Sequence, residues 1–364
     1  MLKDICHLIT TFESGGAENQ LLILSRHQVS RGWNVKILYL KGEGNLTHLA
    51  QNLGIEVDDT LANTNILLQL FSLHKFVKLN QKMIFHVHLP RAELLFFIAS
   101  IGESIRSFTS RHNTEPFFPF VTTRFSSLIS RLVTKRNEGV IAISNSVRKF
   151  VLERNELHPS TPLQVIHYGY DDSLSPTRIP KEYRNPNSLH FVYVGRIVEQ
   201  KNVALLIDVF KTFALSHPNV YLHIFGDGPL KRKLQEVSAS RNQEISWHGK
   251  ISSVPLRLAA MDALVLPSKY EGFGLVLLEA MQVGIPVIAS DTPAISEVMG
   301  NQYPGLFVNE NESSFLELMN SFAAQPQFRK QLQEYGQERL KLYSPFLMVD
   351  AIEELYFHSK KEVR

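Results

Sequence analysis

The stretch from Asp262 to Ala289 constrains the fold more than any other, because it writes three successive patterns into one short span. Asp262-Ala263-Leu264-Val265-Leu266-Pro267 is a continuous apolar run closed by a turn signal, the pattern of a strand buried on both faces. Glu271-Gly272-Phe273-Gly274 is a glycine-bearing loop, Leu275 to Val283 an apolar helix, and Ile285-Pro286-Val287-Ile288-Ala289 the next buried strand. Two such strands joined through a helix require an α/β architecture, a parallel sheet covered by helices. In open sheets of this kind ligands bind at the loops leaving the carboxyl ends of strands, where Glu271 to Gly274 falls.

Each part of the unit has a chemical reading. Gly272 and Gly274 let the backbone approach a ligand, and the amides opening the helix at Gly274 and Leu275 suit a phosphate. Glu279 lies one turn inside the helix among apolar neighbours, where a carboxylate calls for a partner. Vicinal hydroxyls, such as those of a ribose, would serve. Glu271 in the loop would reach a different polyol, and taken alone it reads equally well as a surface charge.

The same alternation extends in both directions. Ile5 to Thr10, Asn34 to Leu40, Met83 to Leu89 and Val140 to Ile143 read as strands, with an amphipathic helix over Ala17 to Ser30. Residues 171–188 turn to Pro, Ser, Asp and Asn without apolar period, as a linker would. Leu189 to Gly195, Val220 to Phe225 and Ile245 to His248 are again strands, alternating with helices over Val203 to Leu215 and Leu230 to Ser238. The expected organisation is one doubly wound domain over 1–170, the linker, a second over 189–345, and a helix over 346–364 with Tyr356 and Phe357 as docking anchors.

Composition narrows the function classes. A net charge of +3 is too weak to argue for nucleic acid. Cys6 is the only cysteine, which excludes an intramolecular disulfide and argues against a cysteine-based zinc cluster. No apolar run approaches the ~18 residues of a spanning helix, and Met1 to Thr10 leads into a strand without a signal-peptide pattern. A cytoplasmic protein is expected, with any membrane contact peripheral.

Further candidates lie at other strand ends. Gly195-Arg196 closes one strand and Lys201-Asn202 precedes a helix, a cation pair suited to a diphosphate whose charge grows as it departs, or else two solvated loop cations. Gly226-Asp227-Gly228-Pro229 reads as a tight turn. Gly15 and Gly16, within Glu13-Ser14-Gly15-Gly16-Ala17-Glu18, could bring amides to a phosphate or form only a flexible turn, with Glu18 complementing the helix dipole. No complete dinucleotide or P-loop fingerprint is present.

His86 and His88 share one face of a strand. His86 reads as a satisfied core histidine, and His88, nearer the carboxyl end, as a group able to bond a substrate hydroxyl or shuttle a proton. No third ligand is evident and no D-x-D occurs, so no metal is expected. Phe117 to Arg136 has apolar residues at helical spacing, an adjoining stripe of Arg124, Arg131 and Lys135, and no acidic residue. It reads either as a helix lying on an anionic membrane or as a core-facing helix with a solvated basic face.

Assembled, these residues make the chain resemble retaining glycosyltransferase family 4. The resemblance runs from Ser14-Gly15-Gly16-Ala17-Glu18 through Gly195-Arg196, Lys201-Asn202 and Gly226-Asp227-Gly228-Pro229 to Glu271-Gly272-Phe273-Gly274 and Glu279. It departs at His167-Tyr168-Gly169-Tyr170-Asp171, where many relatives carry Pro-Asn-Gly. The resemblance implies a GT-B fold, two Rossmann-like domains facing across a cleft with a C-terminal helix crossing back to the first. It implies a nucleotide-sugar donor, with Glu279 on the ribose, Glu271 on the sugar, Arg196 and Lys201 on the diphosphate, and amides from Gly16, Gly274 and Leu275. His88 matches the family's histidine near the scissile bond, and Gly15, Gly272 and Phe273 complete the donor loops. It further implies retention without a metal or other cofactor, and a hydroxyl acceptor on a glycan or lipid-linked glycan of the cell envelope. An epimerase on a similar scaffold and an inactive nucleotide-binding scaffold are the competing readings.

Overall fold

The computed structural model describes residues 3–118, 122–171, 188–238, 244–251 and 254–358. The chain divides into two compact units, one of residues 1–169 with 344–364, the other of residues 170–343. The expected linker falls almost wholly on 172–187, outside the described residues.

In the first unit a seven-stranded sheet is built from β1 (Asp4–Thr11), β2 (Asn34–Lys41), β3 (Glu56–Asp58), β4 (Ile84–His88), β5 (Arg106–Arg111), β6 (Gly139–Ala142) and β7 (Leu163–Val165). The connecting helices are α1 (Gly16–Ser30), α2 (Thr47–Asn52), α3 (Ile66–Leu79), α4 (Pro90–Ala99), α5 (Thr123–Thr134) and α6 (Asn145–Glu153). Every pairing is parallel, in the order β3-β2-β1-β4-β5-β6-β7, so the winding reverses between β1 and β4. All five residues of β4 are buried, as a strand covered on both faces requires.

The second unit repeats the plan with six strands, β8 (Leu189–Val194), β9 (Val220–Phe225), β10 (Ile245–Gly249), β11 (Ala263–Leu266), β12 (Val287–Asp291) and β13 (Leu306–Val308). Its helices are α7 (Val203–Ser216), α8 (Lys231–Ser238), α9 (Val254–Leu258), α10 (Leu275–Val283), α11 (Pro293–Met299), α12 (Glu312–Ala324) and α13 (Pro326–Leu340). The order β10-β9-β8-β11-β12-β13 puts the reversal between β8 and β11. That is where a doubly wound sheet opens a crevice at its carboxyl edge.

The last helix, α14 (Pro345–His358), belongs to the first unit and packs on α1. Met348, Val349, Ile352, Leu355 and Tyr356 are buried, each contributing about 1.5–3 kcal/mol of apolar burial for its apolar part. Tyr356 reaches the sheet, its hydroxyl 2.6 Å from Nδ1 of His86. Trp33 holds the far end, meeting the Tyr356 ring edge-on and donating from Nε1 to Glu353 at 3.0 Å. Phe357 lies against Trp33 but stays 37% exposed, so Tyr356 is the stronger anchor of the expected pair.

Candidate functional site

The second unit gathers four of the candidate side chains around the β8–β11 reversal. Gly195 and Arg196 follow β8, Lys201 ends a single 3-10 turn before α7, Glu271 follows β11, and Glu279 stands on α10. Glu271 is 6% exposed; it accepts from Ser268 Oγ at 2.7 Å and pairs with Lys201 Nζ at 2.5 Å. Ser268 is fixed in turn, its carbonyl accepting from Ser290 Oγ at 2.6 Å. With side chains 15% and 6% exposed, removing either partner would leave a buried charge uncompensated. Arg196 is exposed and reaches toward Gln200, while its carbonyl accepts from Tyr193 at 2.8 Å.

Exposure at the two carboxylates is the reverse of the expectation. Glu271 is the buried one, because its loop folds back onto Ser268 and Lys201. Glu279 is half-buried, because the helical period puts it on a stripe with Leu275, Val276, Gln282 and Val283, whereas Leu277, Leu278 and Met281 face the core. No described residue hydrogen-bonds or pairs with Glu279. Loss of solvation alone pushes its carboxyl up to about 8.

Glycine is required at two of these turns. Gly274 caps α10 at φ 90°, a left-handed conformation costly for other residues, and Leu277 N–H donates to its carbonyl at 2.9 Å. This turn opens the helix with the amides of Leu275 and Val276 in its first turn. Phe273 is buried edge-on against Tyr343 at 5.7 Å, which fixes the glycine loop. Gly226 has φ 140°, and a Cβ there would lie 1.8 Å from the Gly195 carbonyl. The Gly226-Asp227-Gly228-Pro229 turn thus packs directly under the Gly195–Arg196 loop.

In the first unit, Gly15 caps α1 in extended backbone and Gly16 is its first residue. The Glu18 carboxylate curls back over this turn, accepting from Thr11 Oγ1 at 2.7 Å and lying where a Cβ on Gly15 would stand. Burial raises its pKa. Glu18 therefore takes the place beside the helix terminus where an anion would sit.

His88 ends β4 buried, with both ring nitrogens engaged. Its Nε2 is 3.1 Å from Nδ1 of His7, whose Nε2 is 2.8 Å from Gln28 Oε1. Its Nδ1 is 3.1 Å from Nε2 of His112, which bonds through Nδ1 to the Tyr168 hydroxyl. His86 bonds Tyr356 and Ser110. Burial depresses all four imidazoles, His7 to about 4 and His112 to about 3, so the cluster is neutral. The expectation that His86 and His88 lack a third metal ligand is corrected, since β1 carries His7 beside them with ligand atoms of all three within 4.8 Å of one another. Sequence spacing missed His7, His112 and Ser268; the first two become neighbours of His88 only through the parallel register of β1, β4 and β5.

Helix α5 inverts the core-facing reading of residues 117–136. Its buried face is Ser126, Ser127, Ser130, Val133 and Thr134, whose hydroxyls bond backbone carbonyls such as Arg154 and Glu156. Phe125, Leu128 and Leu132 are 53%, 56% and 49% exposed. Val121, part of the expected apolar face, lies outside the described residues. No described helix is long and apolar enough to cross a membrane.

Residues 14–174 match the family described as Glycosyltransferase Family 4, and residues 176–339 match Glycosyl transferases group 1. The alpha-maltose-1-phosphate synthase of Mycolicibacterium smegmatis is 26% identical over 78% of this chain and 81% of its own length. A UDP-Gal:alpha-D-GlcNAc-diphosphoundecaprenol alpha-1,3-galactosyltransferase of Escherichia coli is 24% identical over 67% of this chain and 66% of its own. Among solved structures, Anabaena HepE in complex with UDP-glucose superimposes with a TM-score of 0.82 at 19% identity, covering 97% of this chain and 99% of that one, and shares its two-domain GT-B fold.

Proposed function

Because the chain belongs to glycosyltransferase family 4, we propose that it moves a sugar from a nucleotide-diphosphate donor to a hydroxyl on a glycan or lipid-linked glycan of the cell envelope, with retention. The observation that carries this reading is Glu279, a carboxyl raised to about 8 with no protein partner, set beside the Gly274 turn at the β8–β11 reversal. Two ribose hydroxyls donating to it would supply the partner it lacks. Glu271, held by Ser268 and Lys201, would accept from hydroxyls of the transferred sugar. The UDP-glucose bound by HepE and the diphosphoundecaprenol acceptor of the E. coli relative support the two substrate classes.

The chemistry then rests on charge and position. As the bond to the anomeric carbon breaks, negative charge grows on the departing diphosphate, and Arg196 and Lys201 would take it up, with amides at Gly274 and Leu275. The leaving phosphate itself would assist deprotonation of the acceptor on the same face, so no protein nucleophile is assigned. Gly15 and Gly16 would add amides once Glu18 gives way. By the family resemblance His88 would position the sugar, at the cost of one of its ring partners. No metal is required, and the same reading lays α5 on the anionic inner face of the cytoplasmic membrane through Phe125, Leu128 and Leu132.

The test is release of nucleoside diphosphate from a donor panel with lipid-linked and free glycan acceptors, with the product anomer read by NMR. Glu279→Ala should lower kcat/KM about 10- to 100-fold, the value of one or two hydrogen bonds to a charged group, and a chelator should change nothing. Unaltered turnover in Glu279→Ala, or conversion of donor without acceptor, would overturn the reading. For α5, failure to co-sediment with vesicles containing phosphatidylglycerol would remove the membrane assignment.

A further inference from the structure

Helix α3 has more apolar surface than its core uses. Leu73 and Val77 enter the core cluster with Phe85, Leu95 and Phe96, and Gln69 is buried on the same side, donating to the carbonyls of Leu40 and Leu61. Asn65 caps the helix, accepting from Leu68 N–H at 2.9 Å. The opposite side also carries large apolar residues: Leu67, Phe71 and Leu79 are 75%, 69% and 73% exposed, and Ile66 and Leu68 are more than half exposed. A soluble helix ordinarily gives that side polar residues.

Charge says what covers it. Residues 60–92 contain no Asp or Glu. Leu67, Phe71, Lys75 and Lys78 follow at intervals of four, four and three, so two apolar and two cationic side chains form one outward stripe. Glu93, the first acid afterwards, is buried against Arg111 at 3.0 Å and gives the surface no free charge. Glu103, beyond α4, accepts from Gln81. At 14 residues α3 is about 21 Å long, too short to span a bilayer but suited to lying in its interface.

The stripe does not stand alone. In the first unit α3 packs on α4 and α4 on α5, so the three helices form one layer over the sheet. Ile98 of α4, the helix that packs on both α3 and α5, is 41% exposed. Arg124 of α5 and Lys135 at its C-cap are exposed cations, as Lys75 and Lys78 are on α3.

We propose that α3 is a second membrane anchor, its Leu67 and Phe71 inserting among acyl chains while Lys75 and Lys78 meet anionic headgroups of the bilayer that α5 also contacts. The inference rests on the membrane reading of α5 and deepens it: two helices of one layer hold the unit against the lipid surface. Two weak anchors acting together give retention that neither gives alone.

The experiment is sedimentation of the full chain with vesicles of phosphatidylcholine alone and of phosphatidylcholine with 30% phosphatidylglycerol, an amount of about one third chosen to give a clear surface potential. Three proteins are compared: the wild type, Leu67→Ser/Phe71→Ser, and Phe125→Ser/Leu128→Ser. Both variants alter exposed side chains, and unchanged melting in the absence of lipid confirms that they fold. Expected is wild-type binding to the anionic vesicles, weakened by salt, with a loss of about tenfold or more in each variant. Loss in the α5 variant alone overturns the α3 anchor and leaves α5 standing; no wild-type binding overturns both. A dimer in sedimentation equilibrium without lipid, dissolved by Leu67→Ser/Phe71→Ser, assigns the face to a second copy and overturns the proposal. None of these outcomes touches donor turnover, which is measured separately on a soluble acceptor.

Discussion

Glu279 sets the pH behaviour of the donor site. Its folded carboxyl titrates at about 8 because burial disfavours the charge, whereas a ligand hydroxyl donates to the ionised form. Donor binding should therefore strengthen as pH rises from 6.5 toward 8, with a proton released on binding, and level off beyond. Stability runs the other way. The folded chain keeps this proton above the ordinary carboxylate range, where the unfolded chain has lost it, so the contribution of Glu279 to stability falls as pH climbs from that range to about 8. Calorimetry in two buffers of different ionisation enthalpy checks the proton release, and Glu279→Gln should abolish it; identical pH curves for variant and wild type would contradict the assignment. The placement of Glu271 in a loop after a strand and of Glu279 on the helix that follows was legible in the sequence. Their exposure was not, because it depends on which stripe of α10 faces the core and on Ser268 and Lys201 closing over the loop. The neighbours of His88 were equally hidden, since residues 7, 88 and 112 share no local pattern.

Among elements, α14 shows how a helix is tied to its sheet by a buried polar contact. Tyr356 is fully buried and meets His86, which also bonds Ser110. Tyr356→Phe keeps the packing and removes the hydroxyl, leaving a buried imidazole nitrogen short of a partner. A loss of about 1–2 kcal/mol is expected, a drop in melting temperature of about 2–8 °C for a unit of this size. Unchanged melting would show that the contact contributes only packing. Tyr356 and Phe357 were visible in the sequence as anchors, and the resemblance implied that their helix returns to the first unit, as it does; the groups they meet there, His86 and Trp33, were not visible. Strand β5 was invisible for a compositional reason: Arg106-Ser107-Phe108-Thr109-Ser110-Arg111 has one large apolar residue, and its polar groups are paid for by contacts such as Arg111 with Glu93 and Ser130. The three-residue strands β3, β7 and β13 are too short for any period to register. Helix α5 had the right period and the opposite orientation, since serine hydroxyls satisfying loop carbonyls turned its polar side inward.

At the scale of the whole molecule, strand and helix periodicity was enough to read two doubly wound units, because parallel strands buried on both faces leave long apolar runs. The winding reversals at β1–β4 and β8–β11 could not be read, as strand order is set by tertiary pairing. Yet the residues singled out from sequence lie beside those reversals: Gly15, Gly16 and His88 in the first unit, and Arg196, Lys201, Glu271 and Glu279 in the second. The most direct measurement is a calorimetric titration of wild type and Glu279→Ala with UDP-, GDP- and ADP-linked sugars at pH 8. Saturable binding of one donor by the wild type, weakened about tenfold or more in the variant, is the expected result. Binding of none of them, or equal affinity in both proteins, would contradict the assignment of this site to a nucleotide sugar.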